Sequence, residues 1–466
     1  MERLLDDIRF NKLTEKYILK ELSLIFDTML NNNKEKDIEH YLQKISLLSS
    51  NYNRSNTIPQ HFFFIWIGIL PSHTKYYPKI WLKSKVKPIF YYDSNAYLSG
   101  FYLTELKTIA SNKNLDIIQI QNDFFKYYNK KNKVANSNFD AIFLNYLNIN
   151  GINKNKYYND KISSYIEEIN KDLDFKFIDI HSINNLFIQK DFMKYYTYEI
   201  ILRNNLAAAS DIIRLLIIYK FGGIYSDLDT LPNFDYIFKK TNTTLNDVKD
   251  INKNIVDVIR TEELLCKIDN THKESYSDND IEILDTYMLY LKNFDLNIYK
   301  SILYDVSKWN KDIPEFLFPK INEKLICISA SKNNLFEFNN NMIAAHANSK
   351  MIRILLRQLK KRYHYAEKRG FILNRLENKN IKINPYYERL KNYRLDGSSN
   401  SDNVTLILSG PSFILEVILG LSYQLLSINY DIDPLAISYA LREKHIGLSL
   451  ENQTMFTLEH IKSSWM

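Results

Sequence analysis

Residues 206–235 read LAAASDIIRLLIIYKFGGIYSDLDTLPNFD, and this stretch constrains the fold more than any other. Leu206 to Phe221 carries the apolar spacing of a buried helix, Gly222-Gly223 permits a tight turn, and a short strand is predicted to end at Asp229, with Pro232 beyond it. The order is helix, glycine turn, strand, carboxylates. Asp211 and Arg214 are three apart, so they share one helix face and can meet across one turn. On a solvated face such a pair is worth well under ~1 kcal/mol. Here Ala207 to Ala209 and Ile212 to Ile218 surround it, and buried charges need a reason.

The rest of the chain sets that unit in an α/β sheet. HFFFIWIG, from His61, is a short continuous apolar and aromatic run, the pattern of a strand buried on both faces. Lys87 to Tyr92 and Leu115 to Gln121 read as further strands with a helical segment between them. Residues 123 to about 200 and 240 to 320 read as helical insertions. Leu325 to Ala330, Met342 to Ala345 and Val404 to Leu408 read as strands, Met351 to Tyr363 as a basic helix, and Phe413 to Leu426 as a helix. Residues 1–57 are predicted to form an amino-terminal helical bundle, and 58–466 a catalytic domain.

Composition removes several classes of function. The 61 basic and 54 acidic residues leave a net charge of only +7, which argues against a nucleic-acid binder and leaves room for contact with an anionic membrane. Cys266 and Cys327 are the only cysteines, too few for a disulfide framework and without zinc-ligand spacing, so a reducing compartment is expected. The opening MERLLDDIRFNKLTEKY lacks the apolar core of an export signal. Apolar stretches such as Phe62 to Leu70 fall short of the ~20 residues that span a bilayer, as in a soluble protein.

Asp227 and Asp229, at alternate positions near a strand end, offer the hard oxygen ligands that Mn2+ or Mg2+ prefers and that let the ion reach a diphosphate. Arg214 offers a planar fork for phosphate or sugar hydroxyls, and a fixed Asp211 can accept from two hydroxyls. DLDT at Asp227 to Thr230 also evokes a phosphatase of the Asp-x-Asp-x-Thr kind, but Leu231 stands where that motif wants Thr or Val. A catalytically dead binding module is the other class. Intact Asp211, Arg214, Asp227 and Asp229 argue against it.

Together Ser210-Asp211, Arg214, Gly222-Gly223, Tyr225, Asp227 and Asp229 give SD-x-x-R followed by GG-x-Y-x-D-x-D, which resembles the core of sugar transferases with a DXD motif. The preceding AAA and following LP narrow the resemblance to the catalytic domain of the large clostridial glucosylating toxins. FIWIG at Phe64 to Gly68, YDSNAYL at Tyr92 to Leu98, ILSGP at Ile407 to Pro411 and SSW at the carboxyl terminus follow in that family's order. The resemblance implies a GT-A fold, α/β with a Rossmann-like mixed sheet and helical insertions, and an enzyme transferring a sugar with retention of configuration. It implies Trp66 stacked on uracil, Asn95 at the nucleoside, Leu206, Ser210, Tyr225 and Asp227 along the donor, and Asn340 with Asp211 and Arg214 at the sugar. It further implies Asp227, Asp229 and Ser463 at the metal and Trp465 on the donor phosphate, with His460 or neighbouring Glu459 where the family places a ligating Glu.

The neighbours of Asn340 differ from the glucose-preferring pattern, which leaves UDP-glucose and UDP-N-acetylglucosamine open as donors. The acceptor implied is a Ser, Thr or Tyr hydroxyl of a host small GTPase of the Rho or Ras type. The implied location is the host cytosol, after secretion or injection by a bacterium, with the amino-terminal helices at the inner face of the membrane. A chain ending soon after Trp465 is expected to be an excised domain or a freestanding effector. The wider sharing of the DXD core keeps a polysaccharide-building transferase as the alternative.

Overall fold

The computed structural model describes residues 56–70, 76–135, 138–330, 338–373, 385–395, 404–426 and 450–451, less positions 84, 173–174, 233, 249, 270–271, 311, 314 and 322. In chain order the first part runs β1 (Asn56–Thr57), β2 (Phe62–Trp66), α1 (Tyr76–Lys83), β3 (Ile89–Tyr92), α2 (Ser99–Lys113), α3 (Ile117–Ala135), α4 (Phe139–Ile149), α5 (Asn155–Asp172) and β4 (Lys176–Asp179). Next come α6 (Lys190–Tyr198), a π-helical turn at Glu199–Arg203, α7 (Leu206–Phe221), β5 (Gly223–Ser226), α8 (Lys239–Asn246), α9 (Lys253–Ile268), α10 (Asp278–Phe294) and α11 (Leu296–Lys308). The chain continues through β6 (Lys320–Ile321), β7 (Ile326–Ala330), β8 (Phe338–Ala345), α12 (Lys350–Lys368), a 3₁₀ segment at Pro385–Leu395, α13 (Val404–Leu408), α14 (Pro411–Leu426) and β9 (Leu450–Glu451).

One seven-stranded sheet organises the domain, in the order β4-β3-β2-β5-β8-β7-β9. Strands β4, β3, β2 and β5 are mutually parallel, and β8 runs against both β5 and β7. The chain moves outward from β2 to β3 on one side and returns to β5 on the other, so the order reverses at β2. Open α/β sheets bind ligands in the crevice outside the carboxyl ends at such a reversal. Because Ser226 of β5 pairs with Met342 of the oppositely running β8, Asn340 and Asn341 stand beyond the carboxyl end of β5. The β7 pairing jumps from Ile328↔Ile343 to Ser329↔Asn339, so Asn340 to Met342 form a bulge with no β7 partner.

Strand β2 is buried on both faces: Phe63 and Ile65 join the large core around α7, and Phe62 and Phe64 the smaller core under Trp81. Helices α9, α10 and α11 build a third core around Val256, Leu291 and Ile302. Gly222 and Gly223 have φ of 68° and 102°. A Cβ on Gly223 would lie 2.1 Å from the His61 carbonyl oxygen, so only glycine lets β5 enter beside β2.

Helix α7, the strands β7 and β8, and the helical insertions fall where the sequence pattern puts them. Four readings are corrected. Leu115 to Gln121 is not a strand but the start of α3, because the Asp116 carboxylate accepts the Ile118 N–H at 2.8 Å and opens a helix under the apolar run. Val404 to Leu408 is the helix α13, a five-residue apolar run whose type periodicity alone cannot decide. Strand β4 lies inside the stretch read as helical. Strand β5 stops at Ser226, and Asp227 and Asp229 occupy the turn beyond it, closed by a bond from Thr230 N to Asp227 O of 3.1 Å. The expected amino-terminal helices and the closing residues Glu459, His460, Ser463 and Trp465 lie outside the described residues, apart from Asn56–Thr57, which form β1. Among the described residues no helix is long and apolar enough to cross a membrane.

Candidate active site

Four elements converge outside the carboxyl ends of β2 and β5: the first half of α7, the turn after β5, the β8 bulge, and the turn between α13 and α14. Helix α7 begins with Asn205, whose side chain accepts the Ala208 N–H at 2.9 Å. Leu206 and Ser210 on its first turns are half-buried, and Asp211 and Arg214 are 0% and 3% exposed. The Arg214 guanidinium grips the Asp211 carboxylate as an ion pair, as three-residue helical spacing predicts. Its Nη1 donates to the main-chain oxygen of Asn340 at 2.7 Å and lies 3.7 Å from the Asp227 carboxylate. The same guanidinium sits 4.4 Å from the centre of the Tyr225 ring.

Asp211 is held from three directions. Arg214 and the Asn340 side-chain amide, at 3.3 Å, donate to Oδ1, and the Ser409 hydroxyl donates to Oδ2 at 2.7 Å. Burial pushes this carboxyl up, and the charge of Arg214 and the Ser409 bond oppose it. In contact with a permanent cation we take the pair as ionised. Tyr225, which bonds to Asp227 and to Ser210, is held protonated by burial. Asp227 and Asp229 are half-buried while Leu228 and Thr230 are buried, so the two carboxylates stand on the open side of the turn. The indole of buried Trp81 donates to Thr230 O at 2.9 Å and pins that turn to α1.

The other side of the crevice is built differently. Trp66 closes β2, and Gly68 follows with φ of 91°, where a Cβ would press on Ser99 and on Leu206 at 3.4 Å. Asn95 lies in the turn after β3. Its N–H donates to Asp93 at 2.7 Å, and the Tyr97 and Leu98 N–H groups donate to Asp140 at 3.1 and 3.0 Å. Asp93, 2% exposed, also accepts from His181 Nε2 at 2.8 Å and Tyr196 Oη at 2.5 Å. Asp93, Asp179 and His181 present ligand atoms within 4.8 Å of one another, close enough to share a cation. Each already has a hydrogen-bond partner in or beside this cluster, since Ser94 N donates to Asp179 at 3.2 Å. Trp66 Nε1, Arg214 Nε, Thr230 Oγ1 and Asn341 Oδ1 are buried polar atoms with no hydrogen-bond partner among the described residues, and all belong to elements that meet at this edge.

Asp211, Arg214, Ser210, Tyr225, Asp227 and Asn340 thus form one bonded cluster, and Trp66, Asn95 and Leu206 stand on the same edge. The pattern found in the sequence omits Ser409, Asp93, Asp140 and His181. Ser409 lies within ILSGP and Asp93 within YDSNAYL, whereas Asp140 and His181 carry no local signal.

A model of the TcdA/TcdB catalytic glycosyltransferase domain matches residues 60–394 of the chain. The chain belongs to that glycosyltransferase family. Cytotoxin-L of Paraclostridium sordellii is 28% identical over 270 residues, 50% of this chain and 11% of that protein. Toxin A of Clostridium novyi is 25% identical over 446 residues, 88% of this chain and 19% of that protein. The chain therefore spans between about a tenth and a fifth of these relatives. Among solved structures, the catalytic domain of alpha-toxin from Clostridium novyi superposes with a TM-score of 0.65 at 21% identity, covering 100% of this chain and 89% of that one. The UDP-bound glycosyltransferase domain of the YGT toxin gives 0.60 at 18% identity, covering 88% and 82%. The fold of this TcdA/TcdB-type domain is accordingly GT-A, with the mixed sheet and helical insertions described above.

Proposed function

We propose that this glycosyltransferase moves a sugar from UDP-glucose or UDP-N-acetylglucosamine to a hydroxyl side chain of a host small GTPase of the Rho or Ras type, with retention of configuration. The observation that carries the reading is Arg214, buried between Asp211 and Asp227 and bonded to the Asn340 backbone, at the reversal point of the sheet. A permanent cation fixed between a sugar-holding carboxylate and a diphosphate-side carboxylate suits a reaction that cleaves the bond between sugar and diphosphate. The UDP-bound state of the YGT toxin domain supports a uridine donor.

Asp227 and Asp229 would hold Mn2+ or Mg2+. Both are hard carboxylates on the open side of one turn, and Ser463 with His460 or Glu459 would complete the set. When bound, the ion would offset the charge gathering on the departing UDP. The remaining work falls to protein groups. Trp66 and Asn95 would seat the base and ribose, with Leu206 and Ser210 bordering them and Trp465 donating to the leaving phosphate. Asp211, Arg214 and Asn340 would hold the sugar hydroxyls so that the acceptor oxygen approaches the face that UDP leaves. No side chain in the cluster is an evident covalent nucleophile, so the reading has the acceptor attack directly. We assign residues 1–57 to contact with the inner face of the host membrane, where lipid-anchored GTPases reside.

The test is to incubate the chain with Mn2+, each UDP-sugar and a panel of Rho and Ras GTPases, and to read the acceptor by mass spectrometry. A hexose or N-acetylhexosamine on one hydroxyl is expected. Modification of a glycan acceptor with no GTPase labelled would overturn the acceptor assignment.

A further inference from the structure

The turn between α13 and α14 touches Asp211, and what holds that turn lies at the amino end of α7. Thr405, 2% exposed, accepts hydrogen bonds at its hydroxyl from Arg203 Nη2 and from Asn205 Nδ2, both at 2.6 Å. Asn205 is the residue that caps α7. Arg203 is in turn paired with Glu199, 0% exposed, at 2.6 Å, and Glu199 accepts from the hydroxyls of Tyr363 at 2.5 Å and Tyr393 at 3.0 Å. Glu199 and Arg203 bound the π-helical turn, an irregular element often found beside functional sites. At the other end of α13, Ser409 N and Gly410 N donate to Thr405 O at 3.1 and 3.0 Å, which fixes Ser409 against Asp211. A Cβ on Gly410 would lie 3.0 Å from the Leu406 Cα, so a larger residue there would have to push the α13 backbone aside by a few tenths of an ångström.

A buried ion pair is seldom more stabilising than the apolar residues that could replace it, so its value here lies in the geometry it imposes. We infer that Thr405 and Ser409 are positioning residues of the sugar site: Thr405 fixes the cap of α7, Ser409 fixes the Asp211 carboxylate six residues on, and the Glu199–Arg203 pair braces Thr405 from behind. The inference rests on the sugar-transfer reading above. A helix located at two points by one short element cannot slide or rotate about its axis without breaking a buried bond. Asp211 and Arg214 therefore keep their distance from Asp227 whether or not donor is bound.

The experiment compares Thr405→Val, Thr405→Ser and Ser409→Ala in the full chain by steady-state UDP release with Mn2+ and a UDP-sugar, alongside UDP binding by calorimetry and thermal melting. Losing one buried acceptor or donor should lower kcat roughly 10- to 100-fold in Thr405→Val and in Ser409→Ala, with the Kd for UDP within about twofold. Thr405→Ser, which keeps the hydroxyl, should recover kcat to within about threefold of wild type. A Thr405→Val protein that melts earlier but turns over at the wild-type kcat would show a brace for stability only and overturn the inference. If Thr405→Val does not fold, Ser409→Ala decides alone: full kcat refutes the assignment. A wild-type chain that releases no UDP from either donor would remove the transfer reading itself, an outcome separate from active wild type with unaffected variants.

Discussion

Around Asp211 a local unit sets the frame, since Arg214 is three residues on and Tyr225 reaches Asp227 across two, and Asn340 and Ser409 join it from 129 and 198 residues away. Around Asn95 the local bond to Asp93 is outweighed by long contacts. The turn that carries Asn95 is tied to Asp140, His181 and Tyr196. The proposed sugar end is thus framed by one helix-turn-strand unit that the β8 bulge and the α13–α14 turn complete, and the proposed nucleoside end is built mainly by elements brought together only when the sheet forms. The difference predicts how each end fails. Damage at the sugar end should strike turnover, and damage at the nucleoside end should strike binding.

The largest effect is expected at the turn after β5. Asp227→Asn and Asp229→Asn should each cut transfer by at least about 10²- to 10³-fold in the GTPase-labelling assay, with an unchanged circular dichroism spectrum. Full activity in both variants would remove the metal assignment. Next comes Arg214→Met, which strands Asp211 as an unpaired buried charge. It should cost about 3–5 kcal/mol by urea denaturation and abolish turnover as well. A stable, active Arg214→Met protein would show that the local pair is dispensable.

Smaller effects test the other end. Asp140→Ala leaves the Tyr97 and Leu98 N–H groups without their acceptor, and should cost about 1–3 kcal/mol while weakening UDP binding more than kcat. An equal fall in kcat with unchanged affinity would erase the proposed division between the two ends. The smallest effect concerns His181. Burial lowers its pKa, but the bond and charge of Asp93, with Asp179, outweigh burial and raise it. A raised histidine pKa adds stability that is complete below the unfolded value of about 6.5 and is lost as pH climbs through the folded value. Wild type should therefore exceed His181→Gln by about 1 kcal/mol near pH 5.5, with the gap closing toward pH 8 in pH-dependent melts.

The same contrast explains what could be read before folding. The helix over Leu206–Phe221, the glycine turn and the pairing of Asp211 with Arg214 depend on spacing within one segment, and all three appear as the pattern implies. Asn340 was legible only through family likeness, because it reaches Asp211 through a bulge that strand pairing creates. Asp140 and His181 gave no signal, since each acts on a turn far from it in sequence, whereas Asp93 stood inside YDSNAYL, and its bonds to His181 and Tyr196 are what the fold supplies. Leu115–Gln121 and Val404–Leu408 misled for another reason: short β-branched runs suit a strand or a buried helix, and the Asp116 cap and the packing of α13 decide. Residues that bind through tertiary placement stay silent in sequence, and residues that bind through helical spacing do not.

The account stands on metal-assisted cleavage of a nucleotide sugar at Asp227 and Asp229. The most direct measurement follows UDP release from UDP-glucose and from UDP-N-acetylglucosamine, without acceptor, in the presence of Mn2+ and again after its removal by chelation. Slow hydrolysis of one donor that stops on chelation and returns with Mn2+ is the predicted result, and it names the sugar. Absence of hydrolysis of either donor, together with no donor binding by calorimetry, would contradict the account and leave the two carboxylates as a structural turn.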